Sequence, residues 1–263
     1  MLPVWFANAQ RNRRADSRLF CFPYAGGSSS VYHNWAKSLP EFVDVIPVQL
    51  PGRGIRLNSA PLTRMDGLIE QLSPVLGEFL DRPFYLFGHS MGALIAFELA
   101  HALRMRYGVE PEALFVSGRE PPSVPERETG VHLLPKDQLV ARLRQLNGTH
   151  PDLLENEEIL ELILPVVRAD FELVQTYSFR RAAKLTCPIR AFGGSRDPDA
   201  NGQIIRQWRD FTSGPFSMEI FDGDHFFIHQ QRDQLLACLS RAISNLRAPL
   251  VNQMGFKQND ATA

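Results

Sequence analysis

The chain has 263 residues and a formal net charge of −1, with 44% hydrophobic and 22% charged residues. This composition is ordinary for one globular domain, and the near-neutral charge gives no reason to expect nucleic acid or an anionic membrane as a partner. No apolar run approaches the ~20 residues of a membrane span. The three cysteines, at positions 21, 187 and 238, lack metal or disulfide spacing, so a reducing cytoplasm is expected.

The first third of the chain alternates short apolar runs with segments of helical periodicity. The predicted elements, in order, are a strand at 18–23, a helix at 31–39, a strand at 43–50 and a helix at 65–80. A small-residue loop, YAGGSSS, follows the first strand, and a tight turn, PGRG, follows the second. This alternation favours a parallel sheet with helices packed on it.

The most informative stretch surrounds Ser90. An apolar strand at 84–87 leads into the sequence GHSMG (88–92), and a long segment of helix-forming residues follows. A serine between a strand and a helix in the G-x-S-x-G pattern lies on a sharp, strained turn, where the helix N-terminus offers free N–H groups. The two glycines let the strand and the helix approach closely. The pattern therefore predicts that Ser90 is a nucleophile.

The alternation of strands and helices stops near residue 120 and resumes near residue 181. The further elements predicted outside this interval are strands at 113–117, 188–192 and 217–221 and helices at 204–211 and 233–246. We expect a single α/β domain over residues 1–263, with a mostly parallel sheet covered by helices on both faces. Its core spans about 17–120 and 181–246, and a polar tail, expected to be disordered, spans about 247–263.

Residues 120–180 begin with a Pro-rich connection and continue as two or three helical patterns without a convincing strand. Ligands of such sheets bind at the carboxyl edge, so a helical insertion at that edge is expected to be a lid. Apolar side chains at 139, 143, 146 and 171 would line a chamber beneath it. The prolines at 121–125 and Gly148 offer places where the backbone can bend, which predicts a mobile lid.

A serine nucleophile needs a base, and seven histidines are available. His225 follows the strand at 217–221 and lies in the loop DGDHFF, which places it at the same sheet edge as Ser90. His229, four residues later, is the alternative, although it falls in the next helical turn. We therefore predict that His225 is the base.

A carboxylate must hold the second nitrogen of that base. Asp197 follows the strand at 188–192 in the loop GGSRDP, with Asp199 as the alternative two residues later. The order Ser90, Asp197, His225 is the chain order of α/β-hydrolases, and three post-strand loops in that order predict the α/β-hydrolase fold. The backbone N–H groups of Met91 and Ala25 are predicted to form the oxyanion hole, with Gly26 as the alternative to Ala25.

Five segments together resemble the type II thioesterases, the stand-alone α/β-hydrolases that accompany polyketide synthases and nonribosomal peptide synthetases. They are FPYAGG (22–27), PGRG (51–54), FGHSMGA (87–93), GGSRD (193–197) and GDHFF (223–227). GHSMG is shared with many hydrolases, whereas FPYAGG, PGRG and GDHFF in this order are more particular to the family. The resemblance covers about residues 17–246.

The resemblance implies hydrolysis of acyl groups from the phosphopantetheine thiol of acyl- or peptidyl-carrier proteins, usually to clear stalled or misprimed chains. It also implies a helical lid over the acyl chamber. No cofactor or metal is expected, and a monomer is expected. Since carrier-protein surfaces are generally acidic, the arginines at 119, 142 and 144 are candidate docking residues.

Three other functions use the same sequence features. A small-molecule esterase or lipase would share the catalytic groups and differ in the pocket, and an acyltransferase would pass the acyl group to an alcohol instead of water. A non-catalytic binding protein on the hydrolase fold would be expected to lack part of the Ser-His-Asp set, all of which is present here.

Overall fold

The computed structural model describes residues 3–6, 12, 14–148, 151–180 and 182–259. Its centre is a sheet of six parallel strands in the order β2-β1-β3-β4-β5-β6. The strands are β1 (Ser17–Phe22), β2 (Val43–Pro47), β3 (Phe84–His89), β4 (Ala113–Ser117), β5 (Ile189–Gly194) and β6 (Phe216–Phe221). Strand β3 lies between β1 and β4, so the serine that follows it emerges near the middle of the carboxyl edge.

Eight α-helices occur in the described part of the chain, and none of them is long and apolar enough to cross a membrane. They are α1 (Met65–Gly77), α2 (Met91–Tyr107), α3 (Lys136–Leu146), α4 (Pro151–Glu155), α5 (Glu157–Gln175), α6 (Gly202–Ile205), α7 (Phe227–Gln230) and α8 (Arg232–Asn259).

The sheet buries both of its faces, and the period of two along each strand divides its side chains between them. In β1, Phe20 and Phe22 join the core that packs against α1 and α2, whereas Leu19 and Cys21 join the core that packs against α8. Because both faces are covered, the inner strands β1, β3, β4 and β5 are buried along nearly their whole length, whereas the edge strand β6 is only partly buried. The predicted parallel α/β architecture is confirmed.

Two predicted helices differ from the structure. The segment 31–39 forms two short 3₁₀ turns, Ser29–Tyr32 and Trp35–Lys37, because Asn34 between them has a left-handed backbone (φ 66°) that a helix cannot continue through. The helix predicted at 204–211 starts earlier, as α6, and passes into a 3₁₀ helix at Arg206–Phe211.

The C-terminal helix is longer than predicted. It does not end at Leu246, since α8 continues to Asn259. The expected disorder of the tail stays a prediction, and residues 260–263 lie outside the described part.

Between residues 120 and 180, the described residues contain no strand, as predicted. Helices α3, α4 and α5 share a separate apolar core. Its buried members are Val131, Leu139, Val140, Leu143, Leu154, Leu160, Leu164 and Val167. These helices thus pack on one another, while the C-terminal end of α5 joins the main core through Leu173 and Val174.

Candidate active site

Ser90 connects β3 to α2 through a strained turn. Its backbone lies at φ 54° and ψ −118°, a region that residues with a side chain rarely occupy. The Ser90 N–H donates to the carbonyl oxygen of Ser117 at 2.7 Å, which ties the turn to the end of β4. The side chain remains partly exposed at the carboxyl edge of the sheet.

Glycine is required on both sides of Ser90. A Cβ on Gly88 would overlap the carbonyl of Gly92, and a Cβ on Gly92 would overlap the carbonyl of Phe22 at the end of β1. The turn can therefore pack this tightly against the neighbouring strand only with hydrogen as the side chain at both positions.

Asp197 contacts His225, and Asp199 does not. His225 Nδ1 lies 2.8 Å from Asp197 Oδ2, and the Asp197 side chain is 0% exposed. Asp197 Oδ1 accepts the N–H groups of Asp199 and Ala200 at 3.0 and 3.2 Å, so the carboxylate is fixed from both sides. Asp199 instead faces Arg127 at 3.4 Å, with its side chain 43% exposed.

The acidic neighbours of His225 in its own loop have other partners. Asp222 pairs with Arg196, and Asp224 accepts the N–H of Phe226 at 2.9 Å. His229, the alternative base, lies 2.9 Å from the hydroxyl of Tyr24. Of the histidines considered as the base, His225 is the one that contacts a buried carboxylate.

His89 holds the loop that carries His225. Its ring is 0% exposed, with Nε2 at 2.9 Å from the carbonyl oxygen of His225 and Nδ1 at 2.9 Å from Ser117 Oγ. Because a carbonyl oxygen only accepts, Nε2 carries the proton and Nδ1 accepts from the serine hydroxyl. Burial lowers the pKa of His89 well below its usual value, in keeping with this neutral ring.

The sequence pattern assigned no role to His89. The signal was present: a histidine next to the nucleophile on a strand end must point to the other side of the turn, where the loops after β4 and β6 lie. What it contacts there depends on the packing of those loops.

In the loop YAGG, which follows β1, only one of the two candidate oxyanion donors, Ala25 and Gly26, has a free N–H group. The N–H of Gly26 donates to Asp170 Oδ2 at 2.7 Å, so it is not free for an oxyanion. Ala25 lines the same cavity as Ser90, and Met91 is the first residue of α2, whose N–H has no acceptor one turn earlier in the helix. This arrangement favours the pair Ala25 and Met91.

A cavity of about 410 Å³ brings these residues together. Ala25, Ser90, Met91 and His225 line it on the sheet side. The apolar side chains that cover it come from the helices of the 120–180 segment, namely Leu143, Leu146, Leu153, Ile163, Val167, Phe171 and Val174. Three of the four chamber positions predicted from the sequence (143, 146 and 171) are among them, and the fourth, Leu139, is buried in the core of these helices.

Two of the three arginines that the sequence suggests for docking a carrier protein line the cavity instead of the outer surface. Arg119 is only 9% exposed, lines the cavity and pairs with Glu126, so it is unsuited to a surface contact. Arg142 also lines the cavity and pairs with Glu128 at 2.6 Å. Arg144 alone of the three is exposed.

The thioesterase-domain family model matches residues 17–243. The Brevibacillus parabrevis protein named linear gramicidin dehydrogenase LgrE is 42% identical over 96% of this chain and 96% of its own. Thioesterase PikA5 of Streptomyces venezuelae is 40% identical over 87% of this chain and 81% of its own.

Among solved structures, the type II thioesterase BorB from the borrelidin biosynthetic cluster superposes with a TM-score of 0.83. It is 40% identical, and the match covers 92% of this chain and 98% of BorB.

Proposed function

Because this chain belongs to the thioesterase family, and is thus a thioester hydrolase of the α/β-hydrolase fold, we propose that Ser90, Asp197 and His225 are its catalytic residues. We propose further that its substrates are acyl groups on the phosphopantetheine thiol of carrier proteins. One observation carries the proposal: Ser90 on its strained turn shares a cavity with His225, whose Nδ1 lies 2.8 Å from the buried Asp197 carboxylate.

The first half-reaction forms an acyl-enzyme. Ser90 Oγ attacks the thioester carbonyl while His225 Nε2 accepts its proton, and Asp197 holds the ring in the required tautomer. The N–H groups of Ala25 and Met91 stabilise the oxyanion that develops. The C–S bond then breaks, and the thiol leaves with the proton that His225 had taken.

The second half-reaction releases the acid. Water attacks the acyl-serine ester, His225 again takes the proton, and the Ser90 oxygen leaves with that proton as the enzyme is restored. No step needs a cofactor, because the thiol is a good leaving group and the N–H groups carry the charge stabilisation.

The names of the similar proteins support the biosynthetic setting. BorB is a type II thioesterase from a biosynthetic cluster, and PikA5 is called a thioesterase. We therefore propose an editing role beside a polyketide synthase or nonribosomal peptide synthetase, for a monomeric enzyme of the cytoplasm. The dehydrogenase in the name of LgrE is not carried over, because the serine turn and its partners support acyl transfer to water.

The helices of residues 120–180 form the lid in this proposal. They share an apolar core, and their inward side chains cover the cavity. The apolar wall they supply suits an acyl chain, while Ser90 and His225 lie at the sheet edge where the thioester must sit. The lid would thus select the chain and the sheet would supply the chemistry.

The test compares an acyl thioester on a carrier protein with an alkyl ester of the same acid. We expect Ser90→Ala to retain the fold and lower hydrolysis of both by several orders of magnitude, since the catalytic residues act as a unit. A folded S90A protein with more than about a tenth of the wild-type rate contradicts the mechanism. If the wild type prefers the free ester to the carrier-bound thioester, the carrier-protein substrate is wrong.

A further inference from the structure

A buried ion pair connects the lid to the loop that carries Ala25. Arg53, in the PGRG turn after β2, is 7% exposed, and Asp170, in α5, is 2% exposed. Arg53 Nη1 donates to Asp170 Oδ2 at 2.6 Å and Nη2 donates to Oδ1 at 2.7 Å. This is the two-point geometry in which guanidinium and carboxylate bind most strongly.

The same pair holds the YAGG loop by two backbone groups. Asp170 Oδ2 accepts the N–H of Gly26 at 2.7 Å, and Arg53 Nη1 donates to the carbonyl oxygen of Gly27 at 3.0 Å. Arg53 Nε also donates to the carbonyl oxygen of Pro51 at 3.2 Å, which fixes the guanidinium relative to its own turn. The backbone on the C-terminal side of Ala25 is therefore held from both its donor and its acceptor.

The loop has a conformation that needs such support. Gly26 has a left-handed backbone (φ 76°), and a Cβ there would lie 3.2 Å from Val167 Cγ2 of α5. Glycine populates many other conformations, so Gly26 by itself does not keep the peptide before it in one orientation. The peptide group before Gly26 contains the carbonyl of Ala25. The Ala25 N–H belongs to the next peptide group toward the N-terminus.

A buried ion pair is not an efficient way to stabilise a fold. Removing both charges from water costs free energy that the attraction only partly returns, and well-packed apolar replacements are often as stable. Neither Arg53 nor Asp170 lines the cavity that holds Ser90. The observation that distinguishes this pair is its contact with the loop beside the proposed oxyanion donor.

We propose that Asp170 and Arg53 are positioning residues for hydrolysis, which orient the Ala25 N–H toward the oxyanion by holding Gly26 and Gly27. This proposal rests on the oxyanion role proposed above for Ala25. It assigns two functions to α5: the helix covers the cavity through side chains such as Val167 and Phe171, and it fixes the oxyanion loop through Asp170. The C-terminal half of α5 is then a fixed part of the site.

The decisive variant replaces both charges by apolar residues, Arg53→Met with Asp170→Leu. It removes the acceptor of the Gly26 N–H without leaving an unpaired buried charge, so thermal stability should stay near that of the wild type. We expect kcat/KM for the hexanoyl thioester of N-acetylcysteamine to fall by about 10- to 100-fold, somewhat less than the loss of an oxyanion donor itself.

Two inhibitors separate positioning from general damage. A hexanoyl trifluoromethyl ketone becomes an oxyanion when Ser90 adds to it, whereas a thioether analogue of the substrate has no carbonyl and forms none. In the double variant, the ketone should bind more weakly by the same factor as the loss in kcat/KM, and the thioether should bind unchanged. Equal weakening of both inhibitors would mean that the pair only shapes the cavity.

Glu219→Gln is the matched control, since Glu219 forms an ion pair with Arg190 (2.9 Å) between β5 and β6. This control should change the affinity for neither inhibitor. Should the double variant not fold, Asp170→Asn is measured in the same way, with the same two outcomes. A folded double variant with wild-type kcat/KM overturns the positioning role while S90A is inactive; an active S90A protein instead overturns the proposed function itself.

Discussion

At the scale of single residues, the site depends on which of two acidic residues in one loop, Asp197 or Asp199, contacts His225. Asp197 and Asp199 share one loop, yet one is buried against His225 and the other is exposed beside Arg127. The difference arises because the N–H groups of residues 199 and 200 turn back onto Asp197 Oδ1. The loop thereby holds the first carboxylate beneath the ring and directs the second one outward.

This geometry predicts a large loss of activity for one conservative substitution and a small effect for the other. Asp197→Asn should lower kcat by on the order of 10³- to 10⁴-fold, because an amide favours the wrong histidine tautomer. Asp199→Asn should stay within about threefold of the wild type, since its exposed ion pair contributes little. Steady-state kinetics on one thioester measures both. The reverse order of effects would assign the acid to Asp199.

At the scale of elements, the two halves of the 120–180 segment are attached differently. Helix α5 is capped by Asn156, whose Oδ1 accepts the Ile159 N–H at 3.1 Å, and it is anchored to the core through Asp170. Helix α3 ends at Asn147, whose amide lies 3.3 Å from Asp224 Oδ2 in the loop of His225. The contact between Asn147 and the His225 loop is a single exposed hydrogen bond. Helices α3 and α4 are therefore the part of the lid that is free to move.

We therefore predict a lid that opens over a first range, α3 and α4 (136–146 and 151–155), and stays closed over a second, α5 (157–175). Amide hydrogen exchange should be faster in the first range than in the second, and an acyl-carrier protein should slow it in the first. The carrier protein without an acyl chain is the control. Exchange as slow as in β3 over both ranges, unchanged by the substrate, would exclude a lid of this kind.

At the scale of the whole molecule, the fold buries ionisable groups that prefer water when charged. His101 of α2 is 7% exposed, and Arg104 Nη2 donates to its Nδ1 at 3.0 Å. Burial, reinforced by that guanidinium, lowers the pKa of His101 from 6.5 to about 4. Burial also lowers the pKa of His89, so two rings on the sheet and its neighbouring helix must stay neutral in the folded state.

Folding stability should therefore fall as the pH drops from about 6.5 toward 4. In this window the unfolded chain has protonated His101 and the folded chain has not, so protons favour unfolding; above 6.5 the contribution is constant. Urea unfolding at pH 7.5 and pH 5.0 measures the effect. His101→Asn should reduce the pH dependence, and the exposed control His33→Asn should not. An unchanged slope in the first variant would show that His101 is not responsible.

The sequence by itself determined the parallel α/β fold and the sheet edge at which the proposed catalytic residues lie. Apolar runs and helical periodicity are local, and the carboxyl ends of parallel strands meet at one edge wherever the strands are ordered. For that reason the loops holding Ser90, Asp197 and His225 could be chosen from spacing alone. The close approach at Gly88 and Gly92 followed from the same strand-turn-helix pattern.

Only the tertiary structure decided which neighbouring groups within those loops face one another. Arg53 and Asp170 are 117 positions apart, and their contact, which leaves Ala25 rather than Gly26 free, exists because α5 folds back over the sheet. The burial of Arg119 and the break at Asn34 likewise depend on what packs around them. A sequence pattern describes the periodicity of one segment, whereas these choices are made by contacts between segments that the pattern treats separately.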